Sequence, residues 1–373
     1  MINVNSQEAK RYSMNKDPLT GSSNNKVIYE QKGVPVIQNM VYATAELARV
    51  SKKVNVVLAQ SMDNGFVFSA NFDESMINYD QRYQNEQSNS RFFQDHLNNI
   101  IQILKINNLL NKKILEIGCG KAYFMNMLLN IGEDVIGIDP AYEGDSMKVI
   151  KDSFSNKYAH LGAETIILRH VLEHLAKPFH FIQTIAKAND YLGHIYIEVP
   201  TLEWILANNA SEDVFYEHCN YFTLETLQQF FTESVGGHFF NNQYIYVIAD
   251  LGKIKKEIEK REFKTYDIRF QDRITEYRNL VSKHSNLAIW GAGAKGSTFL
   301  NLIDKDATKI KCVVDINPKK QDNFIGGTGH PIIKPKDLGN YKIDSIIVMN
   351  VNYLNEIKAI TDPLGIKLIT LRN

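Results

Sequence analysis

The run VFYEHCNYFT, residues 214–223, sets Tyr216, Glu217 and His218 side by side, with Tyr221 close behind. Imidazole is the side chain whose ordinary pKa lies nearest neutrality, so it accepts a proton at cellular pH. A neighbouring carboxylate orients the ring or favours its charged form, but adjacent residues on a regular strand face opposite sides. The pairing therefore predicts an irregular loop carrying a proton-transfer site. His218 is the expected base, with Glu217, Tyr216 and His174 assisting. The plainer alternative is that His218 caps the following helix, whose Leu224, Leu227, Phe230 and Phe231 turn inward. A base needs a reaction to serve, so the remaining chain has to supply a cofactor and an acceptor.

Two glycine loops are candidates to hold them. ILEIGCGKAYF is a strand that ends in Glu116-Ile-Gly118-Cys-Gly120 and runs straight into a helix. Glycines let the backbone pass close to a ligand, and the helix N-terminus favours negative charge. Asp139 stands at the tip of the next strand, where a carboxylate takes ribose hydroxyls. The second loop, Trp290-Gly-Ala-Gly-Ala-Lys-Gly296, gives G-x-G-x-x-G after a strand, with Asp315 ending the next. By its physics this loop fits NAD, and Lys295 adds a cation suited to phosphate. VVDINPKKQDNFIGGTGHPI then supplies Lys319, Lys320 and another glycine-rich turn. A Rossmann-like unit without a ligand is the alternative there.

The elements around these loops come from composition and patterning. The chain has 373 residues, which predicts two or three domains. Lys plus Arg equals Asp plus Glu, 42 of each, so no global field points to nucleic acid or an anionic membrane. No apolar run approaches the roughly 20 residues of a membrane span, and the polar N-terminus lacks a signal peptide's apolar segment. Cys119, Cys219 and Cys312 are far apart and odd in number, against a disulfide framework. The chain reads as cytosolic. Residues 1–26 are expected to be a flexible tail, and 27–85 a small β-rich unit. Residues 86–251 alternate continuous apolar strands with helices, the pattern of a parallel sheet covered on both faces. Residues 252–285 form a connecting helix, and 286–373 a second α/β unit.

The E-x-G-x-G form, with no third glycine for dinucleotide packing, resembles the class I S-adenosylmethionine-dependent methyltransferases. ILRHVLEHLAKP (167–178) is similar to their fourth-strand motif, which implies Arg169 and His170 beside the methionine end of the donor. YEHCNYF, GAGAKG and VVDINPKKQ…GTGHPI, in this order, resemble the NDP-hexose C-methyltransferase family over roughly residues 27–373. The resemblance implies a Rossmann-like methyltransferase core, a second Rossmann-like domain and a small N-terminal domain. It implies S-adenosylmethionine held by Glu116, Gly118, Gly120, Asp139, Arg169, His170, Tyr79 and Tyr83. The last two sit in NYDQRYQNEQ, which resembles the family's loop closing over donor and acceptor. It further implies a nucleotide-sugar acceptor held by Tyr221, Gly291, Gly293, Lys295, Asp315 and Lys320. The reaction implied is methylation of a keto-sugar carbon through an enolate, in bacterial deoxysugar or surface polysaccharide biosynthesis.

The chain also departs from that family. The family opens with a zinc domain built on paired C-x-x-C motifs, and here Ser61-Met-Asp-Asn64 occupies the second pair's position. No Cys precedes Cys119 and no His precedes His96, so the N-terminal unit is expected to be a degenerate, metal-free version, and no metal-binding residue is expected in the chain. The family's Tyr-Asp-Glu-His reads Phe215-Tyr216-Glu217-His218, and His170 stands where asparagine is common. O-methylation, an NAD-dependent oxidoreductase and a non-catalytic binding protein stay open as alternatives.

Overall fold

The computed structural model describes residues 16–80 and 82–372. Seven strands form the central sheet. In spatial order they are Val235–Phe239, Tyr244–Asp250, His194–Pro200, Thr165–Arg169, Lys113–Ile117, Asp134–Ile138 and Val149–Ile150. All run parallel except Tyr244–Asp250, which pairs antiparallel with both neighbours. Strand order reverses beside Lys113–Ile117, so a crevice opens at its carboxyl end, where Glu116 and the first glycine loop stand. The helix Arg91–Ile106 covers one face. Ser90 caps it by accepting from the Phe93 amide, and Phe93, Leu97, Ile100, Ile101 and Leu104 recur at helical spacing on its buried side.

A five-stranded parallel sheet forms the carboxy-terminal unit, in the order Ile332–Ile333, Ile310–Val314, Leu287–Trp290, Ser345–Val348, Lys367–Thr370. Its reversal again lies beside the first strand, Leu287–Trp290, at the second glycine loop. Gly296 packs the following helix onto that strand: a Cβ there would lie 1.9 Å from the Gly291 carbonyl oxygen.

Local sequence hides how tightly the units are joined. The amino-terminal sheet consists of Asn25–Pro35, Lys53–Ser61, Val67–Ser69 and a strand from far along the chain, Asn220–Tyr221. Val41–Tyr42 pairs instead with Phe324–Ile325 of the carboxy-terminal unit. Of the stretch expected to be a connecting helix, only Phe270–Ser282 is α-helical. The preceding residues run along the amino-terminal unit, where the Gln60 amide donates to the Lys264 carbonyl at 2.8 Å and Gln60 Oε1 accepts from the Tyr266 amide.

Residues 1–15 of the expected tail lie outside the described residues, but 16–26 are built into the fold. Asp17 is buried, and its Oδ2 accepts from Thr20, Ser61 and Asn64 side chains at 2.7, 2.9 and 2.8 Å. Asp17 with Thr20 and Ser61 with Asn64 repeat one spacing, so two turns are tied by a carboxylate. This hydrogen-bonded knot lies at the segment where the resemblance places a C-x-x-C pair. Among the described residues no helix is long and apolar enough to cross a membrane.

Candidate active site

One cavity of about 990 Å³ is lined by both glycine loops, by Tyr79 and Tyr83, and by the 213–218 loop. Its walls come from all three units, so the site exists only when they are assembled.

The first loop makes one end. Gly118 has φ +76°, and a Cβ there would meet Val171 Cγ2 at 2.4 Å; Gly120 has φ +55° with open space before it. Asp139 stiffens the loop, accepting from the Gly120 amide at 2.8 Å and the Ala141 amide at 2.7 Å. Each oxygen keeps a lone pair for a further donor. Burial raises the Asp139 carboxyl above its ordinary value. Glu116 is buried and its Oε2 has no partner. Burial pushes its carboxyl up to about 7, against the opposing pull of Arg169.

Beside this lies a charge cluster that the sequence reading missed. Glu198, fully buried on the strand His194–Pro200, meets His96 Nε2 at 2.9 Å, Arg169 Nε at 3.0 Å and His170 Nε2 at 3.1 Å. The last contact is off-line for a hydrogen bond and acts as an ion pair. Burial works against the Glu198 charge, but Arg169 and His96 outweigh it and hold the carboxyl well below its ordinary range. Burial also opposes charge on His170, yet Glu173 and Glu198 push that imidazole up to about 9. Arg169 lies 4.7 Å over the Phe124 ring. The signal was present in HIYIEVP: a carboxylate inside an apolar central strand has to be paired.

The 79–83 segment and the 213–218 loop form a further stretch of the cavity lining. Tyr79 and Tyr83 rings pack 4.5 Å apart, and the Tyr79 hydroxyl lies 3.4 Å from His174 Nδ1. Glu217 Oε2 accepts from the Gln38 amide at 2.7 Å, while Oε1 is buried without a partner. Burial pushes the Glu217 carboxyl up to about 7, and the Gln38 and Asn39 amides, Lys320 and Tyr83 moderate the rise. His218 packs 4.1 Å from the Phe215 ring and 4.8 Å from His174. Burial, then His174, His170 and Lys295, draw its imidazole well below the ordinary value. Burial also lowers His174.

Two expected site residues face away from the cavity. The Tyr216 hydroxyl accepts from the Asp73 amide at 2.8 Å and donates to the Asn71 carbonyl. The Tyr221 hydroxyl is tied to the backbone of Phe215. Both are buried core side chains, because the loop turns Phe215, Glu217 and His218 inward and their neighbours outward. Tyr79 and Tyr83 line the same cavity as Glu116, and Gln84, next to Tyr83, accepts from Lys121 Nζ beside the first glycine loop at 2.8 Å.

The second loop completes the cavity, but its charges already have partners. Asp315 accepts from the Ala292 amide at 2.7 Å and the Asn317 amide at 2.8 Å. Buried Lys320 donates to the Ala292 carbonyl at 3.0 Å and lies 3.4 Å from Asn39 Oδ1. Lys295 pairs with Asp213 at 2.9 Å and lies 4.3 Å from the Trp204 ring centre. The helix Ala294–Ile303 begins at Gly293 without a side-chain cap, so its first amides are free for an anion.

These features fit an adenosyl sulfonium donor. The bare Glu116 oxygen suits an ammonium and Asp139 suits ribose hydroxyls, while Arg169 and His170 border the cavity already engaged by Glu198 and Glu173. The glycine loop passes the chain between them.

A family model described as a methyltransferase domain matches residues 83–234, and one described as a C-methyltransferase C-terminal domain matches residues 248–365. The chain is 25% identical over 288 residues to the C-methyltransferase NovU of Streptomyces niveus, covering 65% of this chain and 67% of that protein. Solved structures that match include an SAM-dependent methyltransferase from Archaeoglobus fulgidus, at 17% identity and TM-score 0.33, covering 43% of this chain and 99% of that one. The PH0226 protein from Pyrococcus horikoshii OT3 matches at 13% identity and TM-score 0.34, covering 46% of this chain and 98% of that one.

Proposed function

We propose that this chain, an S-adenosylmethionine-dependent methyltransferase by its matched domains, methylates a nucleotide-activated keto-sugar at the carbon beside the ketone. Bound S-adenosylmethionine supplies an electrophilic methyl group on its sulfonium. An alkyl carbon becomes nucleophilic only after loss of its α-proton, so this chain has to provide a base.

The observation that carries the reading is Glu217 Oε1, a buried carboxylate oxygen without a partner in the cavity of the donor loop. With its carboxyl near 7, Glu217 is substantially ionised at neutral pH and basic enough to take the proton. Burial and the neighbouring His174, His170 and Lys295 draw His218, expected from sequence to be the base, below its ordinary value, which favours Glu217 over it. Glu217 is therefore the proposed base, with Tyr79 and His174 beside it. The nucleotide's phosphates are assigned to the uncapped amides after Gly293, with Lys295 nearby. In this reading the protein acts in the cytoplasm, in bacterial deoxysugar or surface polysaccharide assembly.

The test uses methyl-labelled S-adenosylmethionine with a panel of nucleotide-linked keto-sugars and their ketone-reduced counterparts. Carbon-bound label on keto-sugars alone is expected by NMR. Label on oxygen, or equal transfer to the reduced sugars, would establish an O-methyltransferase.

A further inference from the structure

The acceptor wall holds a trio that the reaction above leaves partly unexplained. Glu173 and His174 come from the single turn Leu172–His174, and His218 comes from the loop before Asn220–Tyr221. One ligand atom from each lies within 4.8 Å of the other two. The sequence hides this grouping, because His218 is distant from the other two along the chain.

Each member has a lone pair to give. Glu173 is 1% exposed; its Oε1 lies 3.3 Å from His170 Nδ1, and its Oε2 has no partner. A bare buried carboxylate oxygen is costly unless something cationic meets it. His174 Nδ1 lies 2.9 Å from the Glu217 carbonyl oxygen. A carbonyl only accepts, so Nδ1 carries the proton and Nε2 keeps its lone pair. That bond is the outer-shell arrangement that orients metal-binding histidines. The His218 ring is fixed by packing on Phe215 and His174. All three residues line the cavity, which gives an ion its route in.

We propose that Glu173, His174 and His218 bind a divalent transition-metal cation, with a further coordination position open to the cavity. Two imidazoles and one carboxylate with an open position form a catalytic-type zinc set; magnesium prefers oxygen alone. Metal bonds of about 2.0–2.2 Å bring ligand atoms closer than the trio stands, so the side chains close by rotation when the ion arrives. What the ion does rests on the keto-sugar reading. Glu217 Oε1 takes the α-proton, the C–H electron pair moves into a carbon–carbon double bond, and the carbonyl pair moves onto oxygen. The open position receives that oxygen as its negative charge develops.

Cobalt(II) is the probe, titrated into tag-free, full-length protein stripped with a chelator, with visible absorption as the readout. One equivalent is expected to give the intensified ligand-field bands of a four- or five-coordinate site, displaced by zinc. Glu173→Gln and His218→Ala are each expected to weaken the cobalt site at least tenfold, with near-ultraviolet circular dichroism and donor affinity checking that each variant is folded. The absence of such bands in the wild type, or bands unchanged in both folded variants, would overturn the site. The titration needs no acceptor, so failure of the keto-sugar reading leaves its outcome standing, and the reverse holds too.

Discussion

The loops at 118–120 and 291–293 are built alike and equipped differently. Each follows the strand beside which its sheet reverses, and each is braced by an aspartate from the neighbouring strand. Asp139 takes the Gly120 and Ala141 amides at 2.8 and 2.7 Å; Asp315 takes the Ala292 and Asn317 amides at 2.7 and 2.8 Å. Beyond that bracing they diverge. The first strand carries a buried glutamate with an unpartnered oxygen one residue before its end, whereas the second ends on Trp290, and its two lysines are already held by Ala292 and Asp213. A glycine loop with an acidic strand tip thus specifies a backbone shape. What binds there is decided by the unpaired groups around it.

The largest expected effect concerns the group between the loops. Glu217→Gln is expected to cut turnover about 10²–10⁴-fold, the range for a general base, while S-adenosylmethionine affinity stays near wild type. The wild-type kcat/KM should rise with pH to a limb near 7, because the base acts ionised, and the variant should lose that limb. Near-normal turnover in the variant would return the role to His218.

A smaller effect tests the packing of the second loop. Gly296→Ala drives a methyl into the Gly291 carbonyl, at a cost of about 3 kcal/mol or more. At Gly120 a methyl meets open space and incurs only the left-handed backbone penalty of about 1–2 kcal/mol. Denaturant melts of the two alanine variants compare them, and equal losses would remove the packing argument.

Smaller again is the pH dependence of donor binding. The Glu116 carboxyl sits near 7 in the free protein, and an ammonium prefers it ionised. Donor affinity should therefore strengthen as pH rises through about 7 and level off above. Calorimetry across that range checks this, and Glu116→Gln should flatten the curve.

The glycine loops, the parallel sheets and the strand-tip aspartates were legible because each depends on a few neighbouring residues. The acceptor wall was legible only in part. Glu217 and His218 point inward, but adjacency along an irregular loop does not say which way Tyr216 faces, and it turns to Asp73. Lys295 looked free because its partner Asp213 and the Trp204 ring belong to another unit. Asp17 looked like tail because its partners Ser61 and Asn64 lie across a sheet. What the sequence withheld was long-range pairing of polar groups, which no local period encodes.

Because the two aspartates brace their loops with matching bonds, they form a controlled pair. The most direct test titrates S-adenosylmethionine calorimetrically into Asp139→Asn and Asp315→Asn beside the wild type. Both changes loosen a glycine loop alike, but only Asp139 is assigned to the donor's ribose. Asp139→Asn is expected to lose about 1–3 kcal/mol of donor binding, with Asp315→Asn within about twofold of wild type. Equal losses in both, or a loss confined to Asp315→Asn, would contradict the assignment of the donor to the first loop.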